Sequence, residues 1–402
     1  MIYKYLLYVI IPVLLNLSNV LASGEGAVIT LEFPAGAENT ALGETGVSVA
    51  NTVSSTFWNP ANVACLYDET YLNLIFTYFH EDLLPSFGIP DLYHNFTAFS
   101  TTLNNVFPNI DIGYAFFRNY VNMDKITLYR DTGETEIIVD SKEKVISNTL
   151  GIRVFKILSI GASFKEYDSR LAPGYGGEQR PDDGIAKGRA FDLGIRINKK
   201  LEFAGLFYIS PAIGASLLNI GNDSAQYIKS SGNKDPLPKL GMAGVSCEFN
   251  ALELFGYTGI YEISYNLLTK PNERTKHHGH KFQITPFYYL LHGKMIDSAG
   301  LRFEKNSGHI ISFNLQKTYM MFKNLVRVFD LLNKTDNFSR VTKWEEKLNL
   351  KGFELKPNLF FSKCYSSIID GNDAREGQKR EEWTAGFGIV AKFPELFNKK
   401  TD

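Results

Sequence analysis

The sequence predicts an all-β chain that closes as a transmembrane antiparallel barrel, and three observations carry that prediction. Apolar and polar residues alternate with a period of two in segments spread along the chain. Aromatic residues make up 13% of the 402 residues and gather at the ends of those segments, in Thr77 to His80, Pro286 to Leu291 and Leu359 to Phe361, where membrane barrels carry their interfacial girdles. The N-terminus reads as an export signal.

That N-terminus, MIYKYLLYVIIPVLLNLSNVLASGEG, has one cation at Lys4, an apolar stretch from about Tyr5 to Leu17, and small or aliphatic residues at Val20 and Ala22. Residues 1–22 are therefore expected to be a cleaved secretory signal. A membrane anchor is the alternative, but Pro12 and Asn16 interrupt the stretch, and it falls short of the roughly 20 residues a spanning helix needs. Ser23 stands where a lipidated cysteine would be, so the mature chain is expected to be exported without a lipid anchor.

Composition removes several function classes. With 42 basic and 43 acidic side chains the net charge is −1, which gives no field for gathering nucleic acid. Cys65, Cys247 and Cys364 are odd in number and far apart, so no disulfide framework is expected.

The alternation is clearest where Phe191, Leu193, Ile195 and Ile197 oppose Asp192, Gly194, Arg196 and Asn198. It recurs at Ile112 to Phe116, Leu150 to Val154, Leu158 to Lys165, Tyr261 to Leu267 and Ile311 to Gln316, while helical periodicity is scarce. A soluble sandwich would also present such strands. No linker or internal repeat breaks the chain between Thr70 and Phe393, which favours one barrel over several secreted modules. In the last segment Trp383, Ala385, Phe387, Ile389, Ala391 and Phe393 share one face, with Thr384, Gly386, Gly388 and Lys392 on the other. It resembles the C-terminal insertion signal of outer-membrane barrels, in which Gly388 and Phe393 would take part, although a tail, 394–402, follows. Outer-membrane lipid is thus the expected surrounding.

Upstream, Asn59 suits a helix N-cap and Pro60 the first helical position, so FWNPANVA marks an extended-to-helix corner. Small residues at Gly36, Ala37, Ala41, Gly43, Gly46 and Ala50 suit a backbone that runs close to other structure, as inside a barrel mouth. The alternative is a solvated loop, which would expose Trp58. The divisions are a plug segment 23–69, a barrel 70–393 and a periplasmic tail.

The stretch resembles the PorV/PorQ family of FadL-like outer-membrane barrels through Ala41-Leu42-Gly43-Glu44-Thr45-Gly46 and Trp58-Asn59-Pro60-Ala61. A second match lies at Asn219-Ile220-Gly221, followed by Pro236, Pro238 and Gly241. Glu44 departs from the small residue expected in the turn, and the similarity thins beyond Phe322. The resemblance implies about 14 strands, an N-terminal plug and both termini in the periplasm. It also implies an interaction role in type IX secretion, with secretion components and cargo bearing C-terminal sorting domains as partners. FadL-like passage of a hydrophobic ligand is the other function it implies.

Residues 167–189 and 222–238 read as extracellular loops, and 126–140 as a projecting hairpin. Arg153, Asp192, Arg196, Arg302 and Glu304 share the polar parity of their strands. They are expected in the lumen, paired with one another or with the plug, a selective pore being the alternative. No nucleophile elbow, phosphate loop or paired-carboxylate site stands out, and GYGG at Gly174 to Gly177 lacks the flanking strand and helix. His277, His278 and His280, with Glu273, could hold a divalent metal; a polar turn is the simpler reading. A non-enzyme without cofactor or metal is therefore expected, with a catalytic barrel a distant possibility. The parity shift around Gly352 suggests a kink in the wall.

Overall fold

In a computed structural model the described residues are 26–392, apart from 51, 67–71, 84–91, 108, 130–135, 175–180, 222–223, 230, 269–273, 298–302, 336, 338, 340–353 and 371–377. Fourteen of the described strands form the barrel. They are β1 (Leu72–Asp82), β2 (Leu92–Phe107), β3 (Ile110–Tyr129), β4 (Glu136–Val154), β5 (Leu158–Arg170), β6 (Ile185–Asn198) and β7 (Phe207–Gly221), then β8 (Leu240–Ala251), β9 (Phe255–Asn266), β10 (Arg274–Thr285), β11 (Tyr288–Asp297), β12 (Phe303–Asn314), β13 (Glu354–Asp370) and β14 (Lys379–Lys392). Each pairs antiparallel with its sequence neighbour, and β14 closes on β1 from Leu72↔Ile389 to Glu81↔Arg380. Closure leaves no sheet edge and satisfies the backbone within the wall, as a spanning structure must.

The predicted alternation is what orients the wall. Outward positions such as Phe76, Phe116, Leu150, Leu193, Ile213 and Ile311 are exposed, whereas Thr77, Asn119, Thr149, Asp192, Ser216 and Glu304 are buried inside. Connections at one rim are short turns apart from that between β12 and β13, residues 315–353, whereas those at the other rim are longer, as between β5 and β6 and between β7 and β8. The turns at Phe155-Lys156 and Leu252-Glu253 set two consecutive residues at positive φ, the geometry of a type I′ hairpin, here without the glycine that would announce it. Strands β3 and β4 pair out to Tyr129↔Glu136, consistent with the expected hairpin.

Two expectations need correction. Leu315 and Gln316 do not continue β12; Asn314 caps Lys317 N–H at 2.8 Å and opens a helix, α3 (Leu315–Asn333). Lys317 lies near Tyr289 of β11, and the Arg327 guanidinium packs against Gly205 in the β6–β7 turn, so α3 crosses the mouth at the short-turn rim. The histidine cluster is no turn either: His277, His278 and His280 lie on β10.

The lumen holds residues 26–50 and 52–66. A 3-10 turn, Ile29–Leu31, is followed by α1 (Ala37–Ala41), α2 (Ser55–Trp58) and a second 3-10 turn, Pro60–Cys65. The two ends of the segment lie at opposite rims: Ala27 N–H donates to Pro236 O at 2.7 Å beside the long loops, while Leu66 leads into β1. The last strand ends at the short-turn rim, whereas the described N-terminal end lies at the long-loop rim. The signal segment, the tail, Arg302, Gly352, Glu273, Phe393 and most of GYGG fall outside the described residues.

Candidate functional site

The plugged lumen is the site, and its seat is built from three kinds of contact. The first is a row of glycines. Gly113, Gly151, Gly161 and Gly194 stand in direct register on β3, β4, β5 and β6. A Cβ added to Gly113 would come 2.3 Å from Val63 O, one on Gly161 2.4 Å from Pro60 C, and one on Gly194 2.0 Å from Asn59 Oδ1. Gly214 and Gly293 make the same close approach to Val47 O and Gly43 N. Plug backbone thus lies directly on wall backbone.

The second is the Trp-Asn-Pro corner. Asn59 Oδ1 accepts from Ala61 N–H at 3.0 Å, while its amide donates to Val47 O at 2.8 Å and Ile195 O at 3.0 Å. The predicted cap and first-turn proline are both present, on a 3-10 turn. Trp58 is buried, its ring against Gly46 and edge-on to Phe57 at 5.2 Å, and Ser216 Oγ donates to its carbonyl at 2.7 Å. Gly43 has φ 80°, which the turn requires, and its carbonyl accepts from His277 Nδ1 at 2.8 Å. His278 and His280 point outward, tilted or stacked on Tyr261 and Tyr257. Strand alternation therefore splits the cluster between two faces, and among the described residues no group of three such side chains could hold a metal.

The third is a set of buried carboxylates. Glu262 accepts from the backbone N–H groups of Gly46 at 2.8 Å, Val47 at 3.0 Å and Ser48 at 2.8 Å, and from the Ser48 hydroxyl at 2.8 Å. Glu143 takes the Thr30 N–H at 3.0 Å and hydroxyl at 2.7 Å. Glu382 takes the Glu38 N–H and the Ser54 hydroxyl, each at 3.2 Å. Two to four plug donors on one carboxylate replace hydration that burial removes.

Of the predicted lumen charges, Arg153 and Asp192 pair with other wall residues and Arg196 reaches the plug. Arg153 binds Asp111 at 2.8 Å, Asp192 binds Lys165 at 2.8 Å, and Arg196 donates to Ser48 O of the plug at 2.9 Å. Glu304 is fully buried. Asn219 sits in a β-bulge opposite Asp192 with φ 59°, and it bridges Lys165 at 2.9 Å to Leu31 O of the plug at 3.3 Å. Gly221 at φ 121° completes this bend, Pro236 and Pro238 meet the top of the plug, and Gly241 lies in open contact with Leu217 and Leu267. Gly388 faces inward on β14, opposite Asn73 and Asn358.

Sequence reasoning missed the glycine row and the carboxylate clamps. Both were readable in part: Gly113, Gly151, Gly161 and Gly194 occupy the polar parity of their segments, and Glu262 is a lumen-parity acid without a cation in its own strand.

Part of the lumen wall is apolar, set among inward polar positions of the same strands such as Asn73, Thr77, Glu81, His94 and Asn119. Ile75 and Phe79 of β1, Phe96 and Ala98 of β2, Ala115 and Phe117 of β3, and Phe360 of β13 pack against Val53, Phe57, Val63 and Leu66 of the plug. The opposite side, above α3, holds a polar cavity of about 180 Å³ lined by Ala50, Glu248, Tyr257, Gln283, Tyr289 and Lys317. Burial disfavours the Lys317 charge, and the acidic groups Tyr289, Glu253 and Glu248 outweigh it, holding the ammonium above its ordinary range.

No protein-family model and no curated protein matches the chain. Among solved structures it is similar to the TodX monoaromatic hydrocarbon channel in a deltaS2S3 mutant, at 12% identity and TM-score 0.42 over 90% of this chain and 99% of that one. The Ralstonia pickettii toluene transporter TbuX gives 10% and 0.42 over 89% and 98%. A Pseudomonas aeruginosa FadL homologue gives 11% and 0.33 over 90% and 98%. The closed 14-stranded barrel itself rests on the strand register described above.

Proposed function

We propose that this outer-membrane barrel passes a hydrophobic small molecule and that the plug holds it shut in the conformation described. The apolar lumen sector carries the reading. A water-filled pore keeps a polar lumen, whereas here Phe79, Phe96, Phe117 and Phe360 line the wall and meet Phe57 of the plug. A molecule moving between that wall and a displaced plug would exchange apolar contacts for apolar contacts.

The finer PorV/PorQ reading, with sorting-domain cargo and type IX components as partners, draws on two motifs. Both have a role inside the barrel: Trp58-Asn59-Pro60 fastens the plug, and Asn219 and Pro236 hold its upper end. Those contacts serve a plugged barrel of either function.

The test is equilibrium binding of a fluorescent naphthylamine to the purified barrel, with Phe96→Asp as the variant. Saturable binding that the variant lowers at least tenfold is expected. A wild-type barrel that binds no apolar probe and retains a sorting domain on a column would replace this function with the type IX role.

A further inference from the structure

A patch of basic side chains faces outward on β10 and β11. Lys276, His278 and His280 have the outward parity of β10, and His292 and Lys294 that of β11. The register sets His278 opposite Lys294 and His280 opposite His292. Side chains two apart on a strand, or opposite across a ladder, stand roughly 5–8 Å apart, so Lys276, His278 and Lys294 form one cluster. No carboxylate holds an outward position on β9 to β12, where Glu262, Asp297 and Glu304 have the inward parity. Lys305 of β12 lies between Lys294 and Asp370 of β13. Lys276 and Lys294 have no such acid beside them, and the Lys294 ammonium rests 4.8 Å from the Phe303 ring centroid. Across the barrel the charges at the long-loop end of the wall are balanced. On β5 and β6 four outward apolar positions precede the first charges, which pair as Arg189 with Glu166 at 3.4 Å, and Lys187 and Arg170 with Asp168 at 3.4 and 3.0 Å. On β10 and β11 only two apolar positions precede the histidines, so the basic patch begins about 10 Å nearer the middle of the wall.

We infer that Lys276, His278 and Lys294 bind a phosphate monoester on the headgroup of an outer-leaflet lipid. Like charges facing one another across a ladder destabilise it, and an outward lysine grows costlier toward the bilayer midplane. An anion from outside the wall relieves both. The patch lies toward the long-loop rim, which in such barrels faces outside. A monoester carries close to two negative charges, matching the two lysines, and its free oxygens can also accept an imidazole N–H. A zwitterionic lipid would bring an ammonium of its own into the cluster. A second copy meeting this one through the patch by a two-fold axis would set the same cations face to face.

Native mass spectrometry of the full-length, delipidated barrel tests this, with diphosphoryl lipid A, its dephosphorylated form and phosphatidylcholine as probes. Wild type is expected to retain diphosphoryl lipid A at least tenfold better than either other probe. Lys276→Gln combined with Lys294→Gln should remove that preference, and Arg189→Gln, among the paired charges of β6, should leave it in place. The single lysine variants serve if the double variant does not assemble, as judged by heat-modifiable mobility. Equal retention of the two forms of lipid A by wild type would overturn the proposal, as would a preference that survives both lysine substitutions. With benzoylphenylalanine in place of His292, irradiation of intact membranes should crosslink the barrel to lipid A. Crosslinks to a protein alone would give the patch to an acidic protein partner and overturn the proposal as well.

Discussion

Gly161→Ala isolates the contact between plug and wall. The added Cβ would lie 2.4 Å from Pro60 C and 2.5 Å from Pro60 O, about 1 Å inside ordinary contact. Both atoms are backbone, so no side chain can rotate away, and the Pro60–Cys65 turn must move as a unit. Overpacking of this kind costs about 1–3 kcal/mol. A 1 Å displacement also takes the Asn59 amide, now 3.0 Å from Ile195 O, out of hydrogen-bond range, which costs roughly another 1–3 kcal/mol for buried groups. At least about 2 kcal/mol corresponds to roughly a thirtyfold shift toward the unseated plug. Cys65 reports it: the thiol is buried, 2.9 Å from Ser159 Oγ, and in a Cys247→Ser, Cys364→Ser background it is the sole thiol. Its maleimide labelling rate should rise at least thirtyfold while heat-modifiable mobility stays that of a closed barrel. Gly241→Ala is the control, since its Cβ would meet only leucine side chains at 3.6 Å and beyond. Unchanged Cys65 labelling in Gly161→Ala would refute the backbone-on-backbone seat.

Trp58→Ala removes a buried ring at a cost of about 3–5 kcal/mol; planar-bilayer recordings should show ion conductance in the variant and a silent wild type, and equal conductance in both would exclude the seated plug. Glu262→Ala leaves three plug N–H groups without their acceptor. At roughly 1–3 kcal/mol for each buried unsatisfied group, protease cleavage within residues 43–50 should appear in the variant alone, with Glu262→Gln intermediate. Phe393→Ala should slow assembly, read as delayed heat-modifiable mobility, if the terminal aromatic is part of the insertion signal.

The barrel was legible because a period of two is imposed on every strand by one wall with lipid outside and plug inside, so the signal in Phe191 to Asn198 repeats wherever the chain crosses. The corner at Trp58-Asn59-Pro60 was legible because capping is local chemistry. Helix α3 was missed because Leu315 and Gln316 continue the alternation of β12; the signal lay further on, in Phe322, Leu325, Phe329 and Leu332 at helical spacing. The histidines were misplaced because a run of five polar or small residues, KHHGH, reads as a turn, whereas in a plugged barrel His277 finds its polar partner on the plug. The glycine row could not be read from any one strand. Its meaning lies in the register, which aligns glycines separated by 10 to 38 positions.

The two parts of the plug are held by different combinations of contacts, which bears on the proposed passage. Around Asn59 to Cys65 the seat is shape: glycine leaves no Cβ, backbone meets backbone, and water cannot enter without the turn moving as a body. From Thr30 to Ser48 carboxylates are added to such contacts: Gly293 and Gly214 meet the backbone of Gly43 and Val47, while Glu143, Glu382 and Glu262 accept neutral N–H and O–H donors. A carboxylate that loses such donors can be rehydrated as soon as water reaches it, so the net cost of releasing a stretch so held is far smaller than the gross strength of its hydrogen bonds. The stretch from Thr30 to Glu38, beside the long loops and held by Glu143 and Glu382, is thus the part that can leave first. Its departure would open the upper part of the apolar sector, Phe79 and Phe96, while the wall ladder stays closed. On this reading the glycine row is a hinge seat and the carboxylates are the latch, which is why substitution of Glu262 should expose the plug near Ser48 and substitution of Gly161 should expose it near Cys65.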